Sequence, residues 1–382
     1  MIWFISVLVI VIAGVISFCF TKSLKISCYT LVVSGIIVSV ISTISVNIDI
    51  KSKTTAIETW SGTVTEVYHK EEWDEWHPPW DEVVTTTDSD GNESTYTVHH
   101  PGYWEHHNAI NKIKTSDGGE FSITNLPDGK VANDNYINTN EELAAYYPVE
   151  SPSASIHFFE NKVQTSYSVF KTNDVDENLY QGLPDYITTT QNYIDVDRFI
   201  GFNSSGEANK LLSEKNSWLN KSIPDPEKEG KMRSWKQVNL VFVNLGTNKT
   251  SDWGYALENK WQRGAKNDFI VSLSTDESGK VLWCYPISWS ESELCKIEVR
   301  NLVTSKTLSD EESYKQMVTE VSDIIADKFV RKEFADFSYI KVNVSTKTIM
   351  FDLVAYIIML LLWCGFLAFS DTAYYWKRNR YR

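Results

Sequence analysis

Three long apolar runs stand out when hydrophobic and polar positions are followed along the 382-residue chain. They cover residues 2–20, 28–48 and 349–369. A helix rises about 1.5 Å per residue, so roughly 20 apolar residues are needed to cross the hydrocarbon core of a bilayer. The pattern therefore predicts a two-helix transmembrane hairpin within residues 1–48 and a third transmembrane helix at 349–369. The first run lacks the basic segment and the small-residue cleavage site of a signal peptide, so we expect it to be retained.

The basic residues that flank these runs predict their orientation, because cytoplasmic loops are rich in Lys and Arg. Lys22 and Lys25 lie in the link of the hairpin, and residues 370–382 form a basic tail. Both segments are expected in the cytoplasm. The N-terminus and residues 49–347 are then expected outside it, as a periplasmic or extracellular domain on the plasma (inner) membrane. Asp352, the one acidic residue of the third run, is expected to reach the headgroup layer.

The alternation of polar and apolar residues predicts a β-rich subdomain at residues 57–172. Strands are indicated by TWSGTVTEVYH, by STYTVHH, and by SASIHFFENKVQTSYSVFK, which reads as two strands joined at Glu160, Asn161 and Lys162. DSDGNES, residues 88–94, favours a tight turn. Residues 173–233 form a mixed connecting region, with a short helix expected at 206–219.

A different order of elements begins at residue 234 and continues to residue 340. VNLVFVNL is the apolar run of a strand that is covered on both faces, and TSDWGYALENKWQRG has the periodicity of a helix. DFIVSLST and KVLWCYPISW form a predicted hairpin, and a long helix follows with a capping box from Ser309 to Glu312. The predicted fold class is a membrane-anchored α+β protein with three transmembrane helices, a β-rich subdomain and a small α/β sandwich subdomain.

Charge separates the exposed domain from the membrane segments. The whole chain has a net charge of −14, and the residues outside 49–347 contribute six basic and two acidic residues, or +4, which leaves −18 on the domain. Nucleic acids and anionic lipids bind through basic patches, so such partners are excluded for the domain as a whole. Cys284 and Cys295 are the only cysteines in it, and the sequence leaves open whether they pair or stay as two thiols.

Candidate chemistry is concentrated in the stretch HHPGYWEHH and its surroundings, where histidine and tryptophan crowd together. One interpretation is a zinc or other divalent metal site at His100 and His106, with His77, His99 and His107 as further ligands. Adjacent strand side chains point to opposite faces, so each doublet offers one ligand to a given site. A second interpretation is a packed aromatic turn. A third is a binding surface, since Trp and Tyr are enriched at binding hot spots; its residues are Trp73, Trp76, Trp80, Tyr103 and Trp104.

Enzyme motifs give no support for catalysis. The sequence contains no G-x-S-x-G, H-E-x-x-H, P-loop or dinucleotide fingerprint. The sequence therefore favours a non-enzymatic integral membrane protein that binds a protein partner through its acidic domain or assembles with further copies in the membrane, and it points to no catalytic residue or cofactor site.

One resemblance bears on residues 234–337. The order VNLVFVNLG, DWGYALENKWQRGAKNDFIVSLS and KVLWCYPIS resembles the TPM domain, a membrane-anchored extracytoplasmic α/β domain. The resemblance implies a metal-dependent hydrolase of phosphatase type as an alternative function. In that family an acidic, glycine-rich segment follows the hairpin, whereas SWSESELCKIEV follows it here, so no site residue is transferred. EEWDEWHPPW and HHPGYWEHH also resemble membrane proteins of tailed bacteriophages, which implies no activity.

Overall fold

A computed structural model describes residues 2–87, 91, 93–133, 135–163, 165, 167, 175–187, 196–333 and 335–379. The chain forms two compact units. The first contains residues 1–56, 158–171 and 333–382, and the second contains residues 57–157 and 172–332. The helices are α1 Ile2–Thr21, α2 Leu24–Thr54, α3 Asn140–Tyr146, α4 Glu207–Leu219, α5 Asp252–Lys260, α6 Glu293–Thr304, α7 Glu311–Lys328 and α8 Thr346–Asn379.

Two four-stranded sheets and three two-stranded ribbons account for the strands of the described residues. The strands are β1 Thr55–Lys70, β2 Trp73–His77, β3 Trp80–Thr87, β4 Glu93–His100, β5 Tyr103–His107, β6 Ile110–Thr115, β7 Glu120–Ser122, β8 Pro152–Glu160, β9 Phe199–Ile200, β10 Ser222–Pro224, β11 Met232–Ser234, β12 Asn239–Thr247, β13 Asp268–Thr275 and β14 Val281–Ser288. Apolar helices together with these sheets confirm the predicted membrane-anchored α+β class.

The first unit contains three helices that are long and apolar enough to cross a membrane: Trp3–Thr21, Leu24–Thr54 and Thr346–Phe369. Their packing includes hydroxyl contacts, since Ser6 Oγ lies 3.2 Å from both Ser42 Oγ and the Tyr356 hydroxyl. Asp352 is only 1% exposed, and neither of its carboxyl oxygens has a hydrogen-bond partner among the described residues. Its side chain is therefore buried within the protein, and the expected position near the headgroup layer stays a prediction.

The second unit contains a sheet in the order β14-β13-β12-β9, with β12 parallel to β13 and β13 antiparallel to β14. Alternate residues of β12 pack on opposite faces. Leu240 and Phe242 contact the core under α4, α6 and α7, and Val241 and Val243 contact the core under α5. This two-sided burial confirms the strand predicted from VNLVFVNL. Strand, helix, hairpin and helices follow one another in the predicted order.

The other sheet of this unit has the order β7-β6-β1-β8. Ile113 of β6 and Phe121 of β7 pack with Leu143 of α3 in a small separate core. Strand β1 is the longest strand, and its first half lies in the buried part of the unit while its second half continues outward. The same strand therefore belongs to the body of the unit and leads into the ribbon formed by residues 71–109.

Two local expectations need correction, and a third falls partly outside the described residues. The described residues of the second strand expected after Glu160 are not extended. Val163, Thr165 and Tyr167 have helical backbone, and the side chains of Val163 and Tyr167, four residues apart, are buried. The cap of α7 is Asp310, whose carboxylate accepts from the Ser313 N–H at 2.9 Å, so the capping box begins one residue later than expected. Part of the turn predicted in DSDGNES, residues 88–90 and 92, lies outside the described residues, as do residues 380–382 of the basic tail.

Cys284 and Cys295 are buried free thiols on β14 and α6, which settles the question that the sequence left open. Burial raises the pKa of both, that of Cys295 to about 12. Because the thiolate is the reactive form, these two residues act as small apolar side chains of the core.

Candidate functional site

A two-stranded ribbon formed by residues 71–109, here called the arm, carries the residues that the sequence singled out. Its strands keep one register along their length: Glu66 faces Lys114 at the root, Trp73 faces His107, and Trp80 faces His100. In the part of the chain that the structure describes, β2 pairs only with β5 and β3 only with β4. Since a strand extends about 3.4 Å per residue, residues 73–87 alone span roughly 50 Å. The arm therefore leaves the main sheet with both of its edges open.

Proline and glycine divide the arm into two paired segments. Pro78 and Pro79 follow β2, and Pro101 and Gly102 follow β4 on the opposite strand. Proline has no N–H to donate to a ladder, so hydrogen bonding between the strands stops there. Gly102 leaves room for an aromatic ring, because a Cβ at this position would lie 2.5 Å from Cζ2 of Trp76.

Aromatic rings face each other across the arm. Trp73 stacks on His107 with ring centroids 4.5 Å apart, and Trp80 stacks on His100 at 4.2 Å. His77 and Tyr103 form a third stack at 4.7 Å, and Trp76 and Trp104 pack at a tilt, 5.2 Å apart. Each pair consists of directly opposed residues, for which side-chain contact contributes about 0.2–1 kcal/mol. The ribbon is stabilised by its own cross-strand pairs.

Every histidine of the arm also lies beside a carboxylate on the opposing strand. The closest contacts are His99 Nδ1 to Asp81 Oδ1 at 2.6 Å, His77 Nε2 to Glu105 Oε2 at 2.8 Å, His106 Nδ1 to Asp74 Oδ1 at 2.9 Å, His100 Nε2 to Glu82 Oε2 at 3.0 Å and His107 Nε2 to Glu75 Oε2 at 3.3 Å. The imidazoles thus alternate with carboxylates along the ribbon, and each one has a local partner.

The predicted metal ligands are distributed over different rungs of the arm. His100 lies opposite Trp80, and His106 lies opposite Asp74, on the other side of the break at Pro101. Six residues separate the two histidines, which is roughly 20 Å in extended chain, whereas zinc ligands lie about 2 Å from the ion. Across the described residues, no group of three or more His, Cys, Asp and Glu side chains is arranged to hold a metal. The structure does not bring His100 and His106 together.

The predicted binding-surface residues are exposed to different degrees. Trp76, Trp80, Tyr103 and Trp104 are 47, 55, 56 and 66% exposed, whereas Trp73 is half-buried beneath Lys70, whose Nζ lies 3.1 Å from its ring centroid. Large aromatic side chains are rarely left this open on a protein that has no partner for them. The four exposed rings lie in the part of the arm on either side of the break.

The arm is also the most acidic part of the chain. Its 39 positions, 71 to 109, hold ten Asp and Glu residues and neither Lys nor Arg, so with neutral histidines it carries −10 of the −18 on residues 49–347. The five carboxylates that lie closest to the histidines have side chains between 48 and 62% exposed. These carboxylates therefore give the solvent around the exposed aromatic rings a negative electrostatic potential.

A buried polar network attaches the root of the arm to the β12–β13 sheet. Glu58 of β1 is fully buried and pairs with Arg331, whose Nη2 lies 2.5 Å from Oε2. Arg198, only 1% exposed, donates to Ser61 Oγ at 2.8 Å. Asn267 Nδ2 donates to the Thr59 carbonyl at 2.8 Å. Buried pairs of this kind fix one arrangement because an unpaired partner would be costly, so β1 leaves the body of the unit in a defined direction.

Asp268 lies next to this network at the start of β13. It accepts from the Tyr186 hydroxyl at 2.5 Å, from Ala265 N at 2.7 Å and from Asn239 Nδ2 at 2.8 Å. Burial outweighs these hydrogen bonds and raises the pKa of Asp268 to about 6. Asn239 in turn accepts a hydrogen bond from Arg198 Nε at 2.7 Å. The protonation state of Asp268 is therefore linked, through Asn239, to the residues that hold the root of the arm.

A cleft of about 350 Å³ lies on the β14 and α6 side of the second unit. Its acidic side chains are already engaged: Glu258 pairs with Arg263 at 2.6 Å, and Glu293 pairs with Lys296 at 2.7 Å. Glu258 also accepts from the Tyr285 hydroxyl at 2.6 Å. The cleft therefore has a satisfied set of ion pairs rather than two free carboxylates poised over a substrate.

Comparisons of the chain with protein-family models, curated proteins and solved structures found no match. Reasoning from the sequence identified the aromatic and histidine residues but missed that they face one another along a single ribbon. The sequence did contain an indication of this pairing. The aromatic, histidine and proline residues of WDEWHPPW recur in roughly the reverse order in HHPGYWEHH, as expected for two antiparallel strands.

Proposed function

We propose that this protein is an integral membrane protein that uses the arm to bind a positively charged surface of a protein partner outside the cytoplasm. The observation that carries the proposal is the coincidence of four exposed aromatic rings with ten acidic residues on a ribbon that has neither Lys nor Arg. A Lys or Arg side chain gains from both groups, because an aromatic face and a carboxylate each attract a cation.

The arrangement of the arm supports binding rather than catalysis. Its residues are held by cross-strand contacts, so the rings are presented in a fixed order and little side-chain entropy is lost on docking. Its acidic field accelerates encounter with a basic partner and repels acidic ones. The basic flanks of the predicted membrane helices support an orientation with the N-terminus and the arm outside and the C-terminus in the cytoplasm.

The alternative is a metal-dependent hydrolase of TPM type. It is supported by the order of strand, helix, hairpin and helices between residues 239 and 328. Elemental analysis of the intact protein, purified without a His-tag, separates the two proposals. The alternative requires a stoichiometric divalent metal and metal-dependent hydrolysis of a phosphate ester, and finding neither would remove it.

Shortening the arm tests the binding proposal. Lys70 and Ile110 face each other directly, so an Asn-Gly turn between them replaces residues 71–109 without disturbing the root. The probe is a synthetic oligolysine peptide that carries a dye, titrated into the intact and the shortened chain in detergent. We expect the intact chain to bind at least ten-fold more tightly, with an affinity that falls as salt is added. Equal affinity of two folded chains would overturn the proposal.

A further inference from the structure

A second surface of the same unit carries lysine side chains, which the arm lacks. Trp218 at the end of α4 and Trp235 after β11 pack edge to face, with ring centroids 5.4 Å apart. Three lysines lie over these rings. The Nζ atom of Lys215 is 5.3 Å from the ring centroid of Trp218, and the Nζ atoms of Lys221 and Lys236 are 4.7 and 5.3 Å from that of Trp235. We call these five residues the basic patch.

The lysines of the basic patch have few anionic partners. None of the ion pairs formed by the described residues includes Lys215 or Lys221, and Lys236 donates only to the Phe329 carbonyl, at 3.4 Å. Burial lowers the pKa of Lys236, so its ammonium group has lost part of its hydration. Residues 215–236 contain six basic and three acidic residues, a local excess of +3 in a domain of −18. The basic patch is thus an isolated positive surface on an acidic protein.

The arm of a chain cannot reach the basic patch of the same chain. Ser217, next to Trp218, donates to the carbonyl of Gly62 at 2.6 Å, so the patch lies at the root of the arm. From Gly62 the paired strand advances 18 residues to Trp80, which is roughly 60 Å of extended chain. The two paired segments keep one register on both sides of the break at Pro78 and Pro79, so the ribbon continues away from its root. The exposed rungs around Trp76 and Trp80 are therefore held away from their own patch.

We infer that the partner of the arm is a second copy of this chain, which offers its basic patch. This inference rests on the proposed function and names its occupant. The two surfaces complement each other in charge, since the arm supplies exposed carboxylates and the patch supplies Lys215 and Lys221, which form no ion pair with the described residues. They also match in chemistry, because each lysine already lies over an indole and gains a carboxylate on its open side.

Reciprocal docking follows from symmetry. When the arm of each of two copies binds the patch of the other, the same contact forms twice and the interface closes as a dimer. The second contact is then intramolecular, so two modest contacts give a stable assembly.

Cross-linking between two differently tagged copies tests the inference in the full-length protein. One copy carries Glu82→Cys on the arm, and the other carries Lys221→Cys in the patch. With a short bifunctional maleimide we expect a product that contains both tags. Pairs in which only one copy carries a new cysteine are the matched controls, because they show any reaction through the native cysteines, of which Cys19 and Cys28 are exposed. A both-tag product no stronger than in those controls would overturn the inference.

Charge reversal provides the second arm of the test. We expect Lys215→Glu with Lys221→Glu to reduce the dimer fraction at least ten-fold, and Glu75→Lys with Glu82→Lys on the arm to restore association with the reversed patch. A chain that remains dimeric with the reversed patch would contradict the inference. If the intact chain is monomeric but still binds oligolysine through its arm, the second-copy inference fails while the proposed function stands. Loss of oligolysine binding is the outcome that removes the proposed function itself.

Discussion

Glu58 and Arg331 form a buried ion pair of 2.5 Å between the first strand of the arm-bearing sheet and the segment that follows α7. The indole N–H of Trp60 donates to the same carboxylate oxygen at 3.0 Å, and the guanidinium lies 5.1 Å from the Trp60 ring. The pair therefore joins residues far apart in the sequence at the root of the arm, where small changes of direction would move its distal rungs by many ångströms.

Removing one member of this pair should weaken the fold. We expect Glu58→Gln to lower the free energy of unfolding by about 3 kcal/mol, because it leaves the Arg331 guanidinium buried without its counter-charge. Chemical denaturation of the full-length protein in detergent, followed by tryptophan fluorescence, measures the loss. Glu66→Gln is the control, since that residue pairs with Lys114 at an exposed site and such pairs contribute little. Equal effects of the two changes would contradict the structural role of the pair.

Asp268 predicts a pH dependence of stability. Its pKa is raised from 3.8 to about 6 in the folded protein by burial. The folded state then holds the proton more tightly than the unfolded state, so this residue contributes most below about pH 4 and its contribution is lost as the pH rises to about 6. Two pKa units correspond to a change on the order of 3 kcal/mol.

The Asp268→Asn variant isolates this contribution. The substitution removes the titration but keeps the size of the side chain, at the cost of some hydrogen bonds. We expect the variant to gain stability relative to the native protein as the pH rises from 4 to 6, and the difference to stay constant above that range. A stability difference that does not change between pH 4 and pH 7 would show that Asp268 titrates normally.

Gly102 predicts a change that affects binding more than stability. A methyl group at this position would lie 2.5 Å from Cζ2 of Trp76 and 3.0 Å from the His77 carbonyl oxygen, so the indole must move. We expect Gly102→Ala to weaken oligolysine binding several-fold while changing the melting temperature by only a few degrees, since Trp76 is half-exposed and free to shift. Ser94→Ala, further out on the arm, is the control. Unchanged affinity in Gly102→Ala would show that the Trp76 ring takes no part.

The buried carboxyl group of Asp352 gives a prediction for the first unit. Neither oxygen has a hydrogen-bond partner among the described residues, so an apolar side chain of similar volume removes a cost without removing a contact. We expect Asp352→Leu to stabilise the helices by about 1 kcal/mol or more. Tyr356→Phe should have the opposite effect, of roughly 0.6 kcal/mol, because it removes hydroxyl contacts with Ser6 and Ser42. Unfolding of the full-length protein in mixed micelles measures both, and a destabilised Asp352→Leu would contradict the account.

Much of the fold follows from the sequence because its periodicities are strong. The apolar runs predict α1, α2 and α8, and VNLVFVNL predicts a strand whose two faces are both covered. The segment after Glu160 was misassigned, since a short apolar alternation is compatible with Val163 and Tyr167 on one face of a helix.

The composition of the site could be predicted from the sequence, but the arrangement of its residues could not. HHPGYWEHH indicated aromatic and imidazole chemistry, but the register of the strands decides which residues meet. That register depends on how Trp80–Thr87 pairs with Glu93–His100. Only the paired structure shows that His100 faces Trp80 while His106 faces Asp74. The root network was also hidden, because Glu58, Arg198 and Arg331 are distant in sequence and no local pattern marks a buried charge.

The proposed binding of a cationic partner depends most directly on the charge of the arm. A variant with Asp74→Asn, Glu75→Gln, Asp81→Asn, Glu82→Gln and Glu105→Gln keeps the shape of the ribbon and removes half of its ten acidic charges. A control with five acid-to-amide changes at exposed positions outside the arm and the basic patch, Glu141, Glu150, Glu277, Glu291 and Glu312, makes the same change in net charge. The deciding measurement is the affinity of each full-length chain for oligolysine at low and at physiological salt. The account predicts at least a ten-fold loss and a weaker salt dependence for the arm variant alone, and an equal loss in both variants would contradict it.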